Sequence, residues 1–202
     1  MSPRPRKVSD DEVFQATQRA MSRLGPGELT LAEIASEAGV TAGALVQRFG
    51  SKRDLLLALS DRFAGGTKEM FARLRQSRRS PLAVLRAYGD CLSQLATSPE
   101  ALARNLSYLQ IDLTDPGFRT HIVAQARASR LELQSIIREA VAAGELVREV
   151  KVTRLARTVE AVLGGSMMAW AYYEEGSAKQ WMREDLEAVL RPYLASQRQR
   201  KK

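Results

Sequence analysis

Apolar residues recur at helical spacing along most of the chain, and the strict alternation typical of strands is nearly absent. The first helix is predicted to begin at a capping box, in which the Ser9 hydroxyl accepts a backbone N–H and Glu12 reaches back. Apolar side chains follow at helical spacing over residues 13–24, and the glycines and proline of residues 25–27 stop this helix. The pattern predicts an all-helical chain.

Two unusually short helices follow, joined by a turn that contains glycine. Thr30, with Glu33 three residues on, forms a second capping box. Gly39 ends this helix after about two turns, because glycine enters the left-handed conformation without steric cost. Thr41 is predicted to cap the next helix, and Ser51 to cap a fourth that runs to about residue 74. Short helices joined in this way describe a helix-turn-helix.

The short third helix is predicted to present its outer face to DNA. Leu45 and Phe49 form its buried side, and residues about half a turn away point outward. A DNA major groove is roughly 12 Å wide, so small outward residues let the backbone approach the base edges. Gln47 is placed to bond adenine N6 and N7. The predicted outward residues are Ala42, Gly43, Val46 and Gln47.

Positively charged residues next to this helix are predicted to bind the DNA backbone. Arg48, Lys52 and Arg53 are assigned to phosphates, together with the helix N-terminus that follows Ser51. The capping residues complete the predicted DNA-binding set, which is Thr30, Thr41, Ala42, Gly43, Val46, Gln47, Arg48, Ser51, Lys52 and Arg53.

Three other basic segments have more ordinary interpretations. The arm with Arg4, Arg6 and Lys7 is either a solvated terminus or a segment that reaches a neighbouring minor groove, as some helix-turn-helix arms do. The run of residues 198–202 is interpreted as a solubilising end. The arginines of residues 73–79 are interpreted as a solvated connection between helices.

Beyond residue 80 the pattern predicts five more helices. Pro81 and Pro99 begin the first two, and a long third helix stops at Gly144. The last two are predicted over residues 152–174 and 178–196. The first of these is apolar on more than one side, so we expect both its own core and a second subunit to cover it. The alternative is that the last two helices only close the core of the monomer.

Polar-tipped, soft and aromatic residues are scattered among the aliphatic positions of this region. Such a mixture suits a mostly apolar ligand pocket with a few orienting groups, although each residue also has an ordinary explanation in a core. Asp112 is the sharpest candidate, since a carboxylate before a turn can meet a ligand donor, but helix capping explains it equally well. The candidates are Tyr88, Cys91, Tyr108, Asp112, Phe118, His121, Met167 and Trp170.

Composition and charge narrow the class of protein. The 202 residues are 45% hydrophobic and carry a formal net charge of +8, which favours a polyanionic partner such as nucleic acid or an anionic membrane surface. The one cysteine cannot form an internal disulfide, and one histidine argues against a zinc site or a histidine-dependent catalytic centre.

Motifs for other classes of protein are missing from the sequence. It contains no run of about 18 apolar residues for a membrane span and no signal peptide. It also contains no phosphate loop, metal-ligand motif or nucleophile elbow. We therefore expect a cytoplasmic protein that is not an enzyme, binds no metal or cofactor and does not associate with a membrane.

A family resemblance lies in the pattern Gly39-Val40-Thr41-x-Gly43-x-Leu45-x-x-x-Phe49-x-Ser51-Lys52, preceded by Thr30 and Ile34-Ala35. Over about residues 8–60 this pattern resembles the N-terminal domain of the TetR family of bacterial transcriptional regulators. The resemblance implies a DNA-binding domain in residues 1–60 and a larger effector-binding and dimerisation domain in residues 61–202. It also implies a homodimer formed through the last two helices, which leaves its operator when a small molecule binds.

Two positions of the third helix depart from the family pattern. The family commonly has a tyrosine after the leucine of this helix and a histidine two residues later, where this chain has Val46 and Arg48. Without the tyrosine hydroxyl, anchoring to phosphates falls to Arg48, Lys52 and the amides after Ser51. Val46 either fills space or offers its methyl groups to a thymine.

The sequence therefore predicts a dimeric TetR-like regulator that binds palindromic operator DNA, and a repressor relieved by a small apolar or amphipathic effector. Two alternatives stay open. One is a helix-turn-helix module that binds DNA without any ligand. The other is a helical carrier or enzyme that keeps the N-terminal helices only as a scaffold.

Overall fold

Helices make up the regular structure of residues 8–195, which the computed structural model describes. Two short 3₁₀ helices, Ser93–Ala96 and Arg191–Tyr193, accompany nine α-helices among these residues, so the predicted all-helical fold is confirmed. The α-helices are α1 (Asp10–Arg23), α2 (Leu31–Ala38), α3 (Ala42–Phe49), α4 (Lys52–Ser77), α5 (Pro81–Leu92), α6 (Pro99–Thr114), α7 (Pro116–Ala142), α8 (Val152–Tyr173) and α9 (Ala178–Leu190).

Two of the basic segments interpreted above lie outside the described residues. They are the arm with Arg4, Arg6 and Lys7 and the run of residues 198–202.

Local sequence sets the ends of the first helices. The amide of Glu12 donates to Ser9 Oγ over 3.2 Å, and the amide of Ser9 donates to the Glu12 carboxylate over 2.8 Å, so the predicted capping box is confirmed. Thr30 and Thr41 each accept an amide hydrogen bond of 3.1 Å from the residue three positions on. Gly39 ends α2 with φ 68°, in the left-handed region where a side chain is disfavoured.

The described residues divide into two compact units. The N-terminal unit comprises residues 8–63 and Ala103–Ile122, and the C-terminal unit comprises Ala64–Leu102 and residues 123–195. The N-terminal unit thus contains α1 to α3, the start of α4, most of α6 and the start of α7. The functional domains expected at residues 1–60 and 61–202 stay a prediction.

A small apolar core holds the helices of the N-terminal unit together. Tyr108 of α6 belongs to this core, and its hydroxyl donates to the carbonyl of Leu24 over 2.8 Å. Burial raises the pKa of Tyr108 to about 12, so the phenol stays a neutral donor at physiological pH. The buried members are Val13, Ala20, Leu29, Ile34, Ala35, Leu45, Leu55 and Tyr108.

The C-terminal unit has a larger core, built from α4, α5, α7, α8 and α9. The rings of Phe71 and Tyr88 lie 4.8 Å apart between centroids within it. Gly89 lets α5 approach α8 closely, since a Cβ at this position would lie 3.3 Å from a methyl group of Leu163. Among its fully buried side chains are Phe71, Leu85, Leu133, Ile136, Ile137, Leu163 and Met182.

The arginines of residues 73–79 are not uniformly solvated, which corrects the prediction. Arg75 is half-buried, and its guanidinium contacts the carboxylates of Glu132 at 2.7 Å and Glu139 at 3.0 Å. Both acids lie on α7, far along the sequence, so helical periodicity within α4 gives no sign of them. Arg75 joins two helices of the unit instead of forming part of a charged connection.

We predict that Glu139 makes the stability of the protein sensitive to acid. Arg75 holds the pKa of Glu139 below its ordinary value of 4.5, chiefly by hydrogen bonding. A lowered pKa gives stability that is present above the ordinary value and is lost as the pH falls through the folded-state pKa. In urea unfolding at a series of pH values below about 5, the wild type should therefore lose stability more steeply than Glu139→Gln.

The control is Glu69→Gln, which removes an exposed carboxylate that lies 3.9 Å from Arg73. This variant should follow the wild-type pH dependence. If the free energy of unfolding falls equally with decreasing pH in the wild type and Glu139→Gln, the ion pair between Arg75 and Glu139 does not stabilise the fold.

Candidate nucleic-acid interface

The turn between α2 and α3 fixes the direction of the short third helix. Gly39 is left-handed, and the amide of the residue after it donates to the carbonyl of Ala35 over 3.0 Å. From this turn Leu45 enters the core and is 1% exposed. The ring of Phe49 lies 5.9 Å from that of Phe14 on α1, between centroids. Two anchors on one side leave the opposite side of α3 facing away from the core.

The outward face of α3 differs from the prediction at two residues, Ala42 and Ala44. Gly43, Val46 and Gln47 are exposed as expected, but Ala42 is half-buried and packs against the N-terminal core. Ala42 precedes Leu45 by three residues, which places both on the same side of the helix. Ala44 is exposed and completes the outward face. Sequence reasoning missed Ala44 because it lies only about 100° from Leu45 in helical projection, and the prediction took residues about half a turn away as the outward ones.

The N-terminus of α4, which was predicted to receive a phosphate, already has a carboxylate beside it. The amide of Asp54 donates to Ser51 Oγ over 3.1 Å, and the Ser51 hydroxyl donates to the Asp54 carboxylate over 2.6 Å. The two residues cap α4 as the sequence predicted. An Asp54 carboxylate at this end also satisfies the helix dipole, which lowers the attraction for an external anion.

The two cations nearest to α3 are held by groups of the protein. Arg48 donates to the carbonyl of Val8 over 2.7 Å and forms an ion pair with Asp10 of α1. The ammonium of Lys52 donates to the carbonyls of Leu29 over 2.7 Å and Pro26 over 3.2 Å. Lys52 therefore holds the loop between α1 and α2 against the start of α4, a structural role that the sequence did not predict.

The remaining cations of α1 and α4 in this unit are paired as well. Arg19 and Arg23 share Glu37, Arg53 binds Asp115, and Arg62 lies 3.0 Å from Asp11. The described part of the N-terminal unit has eight Lys and Arg against ten Asp and Glu. The described residues of the N-terminal unit thus carry a slight excess of negative charge, although the whole chain has a net charge of +8.

Four of the predicted ligand residues lie in the N-terminal unit. Tyr108 belongs to its core, and Phe118 is 6% exposed with the Arg53 guanidinium 5.6 Å from its ring centroid. His121 Nδ1 lies 3.4 Å from the carboxylate of Asp61. Asp112 is half-buried, and burial raises the pKa of its carboxyl. Three of the four therefore already contact neighbouring groups of the protein.

The other four ligand candidates lie in the C-terminal unit. Tyr88 and Met167 pack in or against its core, and Trp170 Nε1 donates to the carbonyl of Gly176 over 3.4 Å. Cys91 is exposed, contrary to the core position that the apolar pattern indicated. Since the eight candidates split between the two units, neither unit by itself assembles the predicted pocket from them.

Neither a metal-binding cluster nor a membrane-spanning helix lies within residues 8–195. No group of three or more His, Cys, Asp or Glu in that part of the chain is placed to hold a metal ion. None of its helices is both long enough and apolar enough to cross a membrane.

Two short helices joined through a left-handed glycine, the second anchored on one side and exposed on the other, form a helix-turn-helix, a motif that many DNA-binding proteins use. Residues 13–59 match the sequence model of the bacterial regulatory proteins of the tetR family. The chain has the DNA-binding domain and the fold of a TetR-family transcriptional regulator, which confirms the resemblance stated from the sequence. A comparison with curated proteins finds no significant match.

Solved structures of the same fold cover nearly the whole chain. One is a TetR transcription regulator from Haloarcula marismortui ATCC 43049, with TM-score 0.72, 20% identity, and coverage of 92% of this chain and 97% of that one. SmeT, the repressor of the Stenotrophomonas maltophilia multidrug efflux pump SmeDEF, has TM-score 0.65 and 22% identity, with coverage of 95% and 93%. FadR from Bacillus subtilis, in complex with stearoyl-CoA, has TM-score 0.67 and 18% identity, with coverage of 90% and 97%.

We predict that Lys52 stabilises the N-terminal unit. Lys52→Met keeps the apolar stem but removes the donor to the carbonyls of Leu29 and Pro26. Hydrogen bonds from a charged donor contribute about 1.5–3 kcal/mol, so the unfolding free energy should fall by roughly that amount in urea titrations. Arg62→Met, which breaks an exposed pair with Asp11, is the control and should cost about 0.5 kcal/mol or less. Equal losses in the two variants would contradict the role of Lys52.

Proposed function

We propose that the protein is a dimeric transcriptional repressor that binds palindromic operator DNA through α3 and is released by a small apolar or amphipathic effector. The observation that carries the proposal is the two-sided character of α3, which is fixed to the core by Leu45 and exposes Gly43, Ala44 and Gln47. A helix of 8 residues is marginal by itself, so packing of its buried side stabilises it and holds its outward side in a fixed direction.

Base reading is assigned to Gln47 and backbone contact to the flanking residues. Gln47 is exposed at the centre of the outward face, where its amide can form two hydrogen bonds with adenine. Gly43 and Ala44 are small enough to let the helix approach the floor of the groove. Arg48 and Arg53 supply charge for phosphates, and Val46, which is 48% exposed, is available to contact a thymine methyl group.

A second copy of the chain is the proposed partner of the exposed side of α8 and α9. Along α8, Ala161, Gly165, Met168 and Tyr172 recur at spacings of four, three and four residues, so they share one side of the helix. Tyr172 is 73% exposed. An apolar stripe with a glycine at its centre permits close approach of a helix, and a two-fold axis brings the same stripe of the partner against it.

The structural neighbours support the proposal of a small-molecule effector. SmeT is a repressor of an efflux pump, and the FadR proteins from Bacillus subtilis and Thermus thermophilus were solved with stearoyl-CoA and lauroyl-CoA. Amphipathic ligands of this class fit an apolar helical interior. A regulator that binds DNA without any ligand is the second candidate, which is favoured by the contacts that already engage Tyr108, Phe118 and His121.

Selection of binding sites from random DNA duplexes tests the proposal directly. We predict that the wild type selects an inverted repeat and that Gln47→Ala loses preference at one base pair of each half-site, a change of about 1–3 kcal/mol for a bidentate contact. Gln18→Ala, an exposed glutamine on α1, is the matched control and should select the wild-type sequence. A site without inverted symmetry, or a Gln47→Ala protein with unchanged preference at every position, would contradict the assignment.

We also predict that Gly165→Glu breaks the dimer without unfolding the monomer. A Cβ at Gly165 meets nothing within 4 Å, so the isolated chain accepts a side chain there, whereas a partner helix packed on the stripe does not. Gly65→Glu makes the same change at an exposed glycine inside α4 with equally open surroundings. Sedimentation at micromolar concentration should give a monomer for Gly165→Glu and a dimer for Gly65→Glu and the wild type. A dimeric Gly165→Glu would place the interface elsewhere.

A further inference from the structure

The turn between α6 and α7 holds the side chain of Arg53. The Arg53 Nη2 atom lies 2.8 Å from Oδ1 and 2.9 Å from Oδ2 of Asp115, and its Nε lies 3.3 Å from Oδ2. The guanidinium also lies 5.6 Å from the ring centroid of Phe118, at a distance typical of a cation–π contact. All three residues belong to the N-terminal unit.

Asp115 is fixed in place by a second set of hydrogen bonds. Its Oδ1 atom accepts from the amide of Gly117 at 2.8 Å and from the amide of Phe118 at 3.4 Å, so the carboxylate also caps the first turn of α7. Arg53 and these amides keep the pKa of the Asp115 carboxyl below its ordinary value. The carboxylate is therefore a rigid anion and not a mobile surface group.

Gly117 provides the space in which the guanidinium lies. A Cβ at this position would lie 3.0 Å from Arg53 Nη2 and 3.1 Å from Asp115 Oδ1, closer than side-chain carbons ordinarily approach. Since no larger residue at this position leaves the contact undisturbed, the glycine, the carboxylate and the ring together form a seat for Arg53.

The seat engages the same donors that a phosphate needs. Arg53 is the second residue of α4 and lies four positions after the last residue of α3, so the proposed function assigns its charge to the operator backbone. A guanidinium binds a carboxylate or a phosphate through paired N–H groups, and the Nε and Nη2 edge is already used by Asp115. A neutralised ion pair also attracts phosphate less than a free cation does.

We propose that Asp115 is an intramolecular competitor of the operator, so that Arg53 exchanges this carboxylate for a DNA phosphate when the protein binds. The inference rests on the proposed function and deepens it, because it makes the α6–α7 turn a determinant of operator affinity. The competition acts on every DNA sequence alike, since phosphate contacts carry no sequence information.

The first test measures the affinity of Asp115→Asn for the selected operator and for a scrambled duplex as a function of salt concentration. Asparagine keeps the oxygen that caps α7 but removes the charge. An exposed Arg–Asp pair limits affinity by a modest factor, so both duplexes should bind roughly two- to fivefold more tightly for each subunit. Arg53 contacts a phosphate in both complexes under this proposal, so the slope of log K against log salt should stay close to that of the wild type. A phosphate contact that the wild type lacks would instead steepen the slope by about 0.9 for each subunit, and would show that the wild type does not make the exchange.

Asp11→Asn is the control for a general change of charge. It removes the carboxylate of another exposed Arg–Asp pair of the same unit, whose arginine, Arg62, has no assigned DNA contact. A gain in affinity as large as that of Asp115→Asn would overturn the exchange and leave only a long-range effect of net charge.

Two further variants separate the exchange from lost folding and from charge. Gly117→Ala crowds the contact between Arg53 and Asp115 without changing the net charge, because a Cβ there would lie 3.0 Å from Arg53 Nη2 and 3.1 Å from Asp115 Oδ1. It should tighten binding in the same direction, but by less than Asp115→Asn. Arg53→Gln should abolish the gain of Asp115→Asn when the two are combined, with thermal unfolding used to confirm that each variant is folded. Unchanged or weaker binding by Asp115→Asn and Gly117→Ala would show that Asp115 positions Arg53 for DNA or has no effect, and would overturn the inference while the proposed function stands. If the wild type binds no duplex, the proposed function fails and this inference fails with it.

Discussion

Burial of Leu45 against the N-terminal core is the interaction on which the DNA-binding surface depends. Isolated helices shorter than about 12–15 residues are marginal in water, and α3 has 8 residues, so tertiary packing must supply both its stability and its direction. Leu45 enters the core, Phe49 contacts Phe14, and the left-handed Gly39 sets the angle at which α3 leaves α2. Loss of any of these contacts would leave Gln47 without a defined direction.

The electrostatics of the N-terminal unit constrain how it binds a polyanion. Each cation of α1, α3 and α4 in the described part of this unit has a protein partner, and the acids of that part outnumber the bases. A paired guanidinium gains less from a phosphate than a free one does, because the phosphate replaces a carboxylate that it already binds. The long-range attraction expected from a basic protein is correspondingly weak over this surface.

Helix α8 of the C-terminal unit has one side buried in the core and an apolar stripe on its other, exposed side. Leu163 and Leu155 of α8 are buried within the unit, whereas Tyr172 and Gly165 of the same helix are exposed. The buried side of α8 packs within the unit, and its exposed side carries the apolar stripe that we propose for a second copy of the chain. The half-buried Arg75 adds an ionic contact between α4 and α7 on the core side.

The capped helix ends and the glycine turn could be predicted from the sequence, because Ser9 and Gly39 act through neighbours within four residues. The buried side of α3 could be predicted because Leu45 and Phe49 lie at helical spacing, although the core that covers Leu45 comes from distant segments. The tertiary structure alone decided the partners of the charged and polar side chains. Arg53 meets Asp115 across 62 positions of sequence, and Tyr108 meets Leu24 across 84. The periodicity of a sequence does not predict such pairs. An ion pair or hydrogen bond between residues far apart in sequence forms only where folding brings the two segments together.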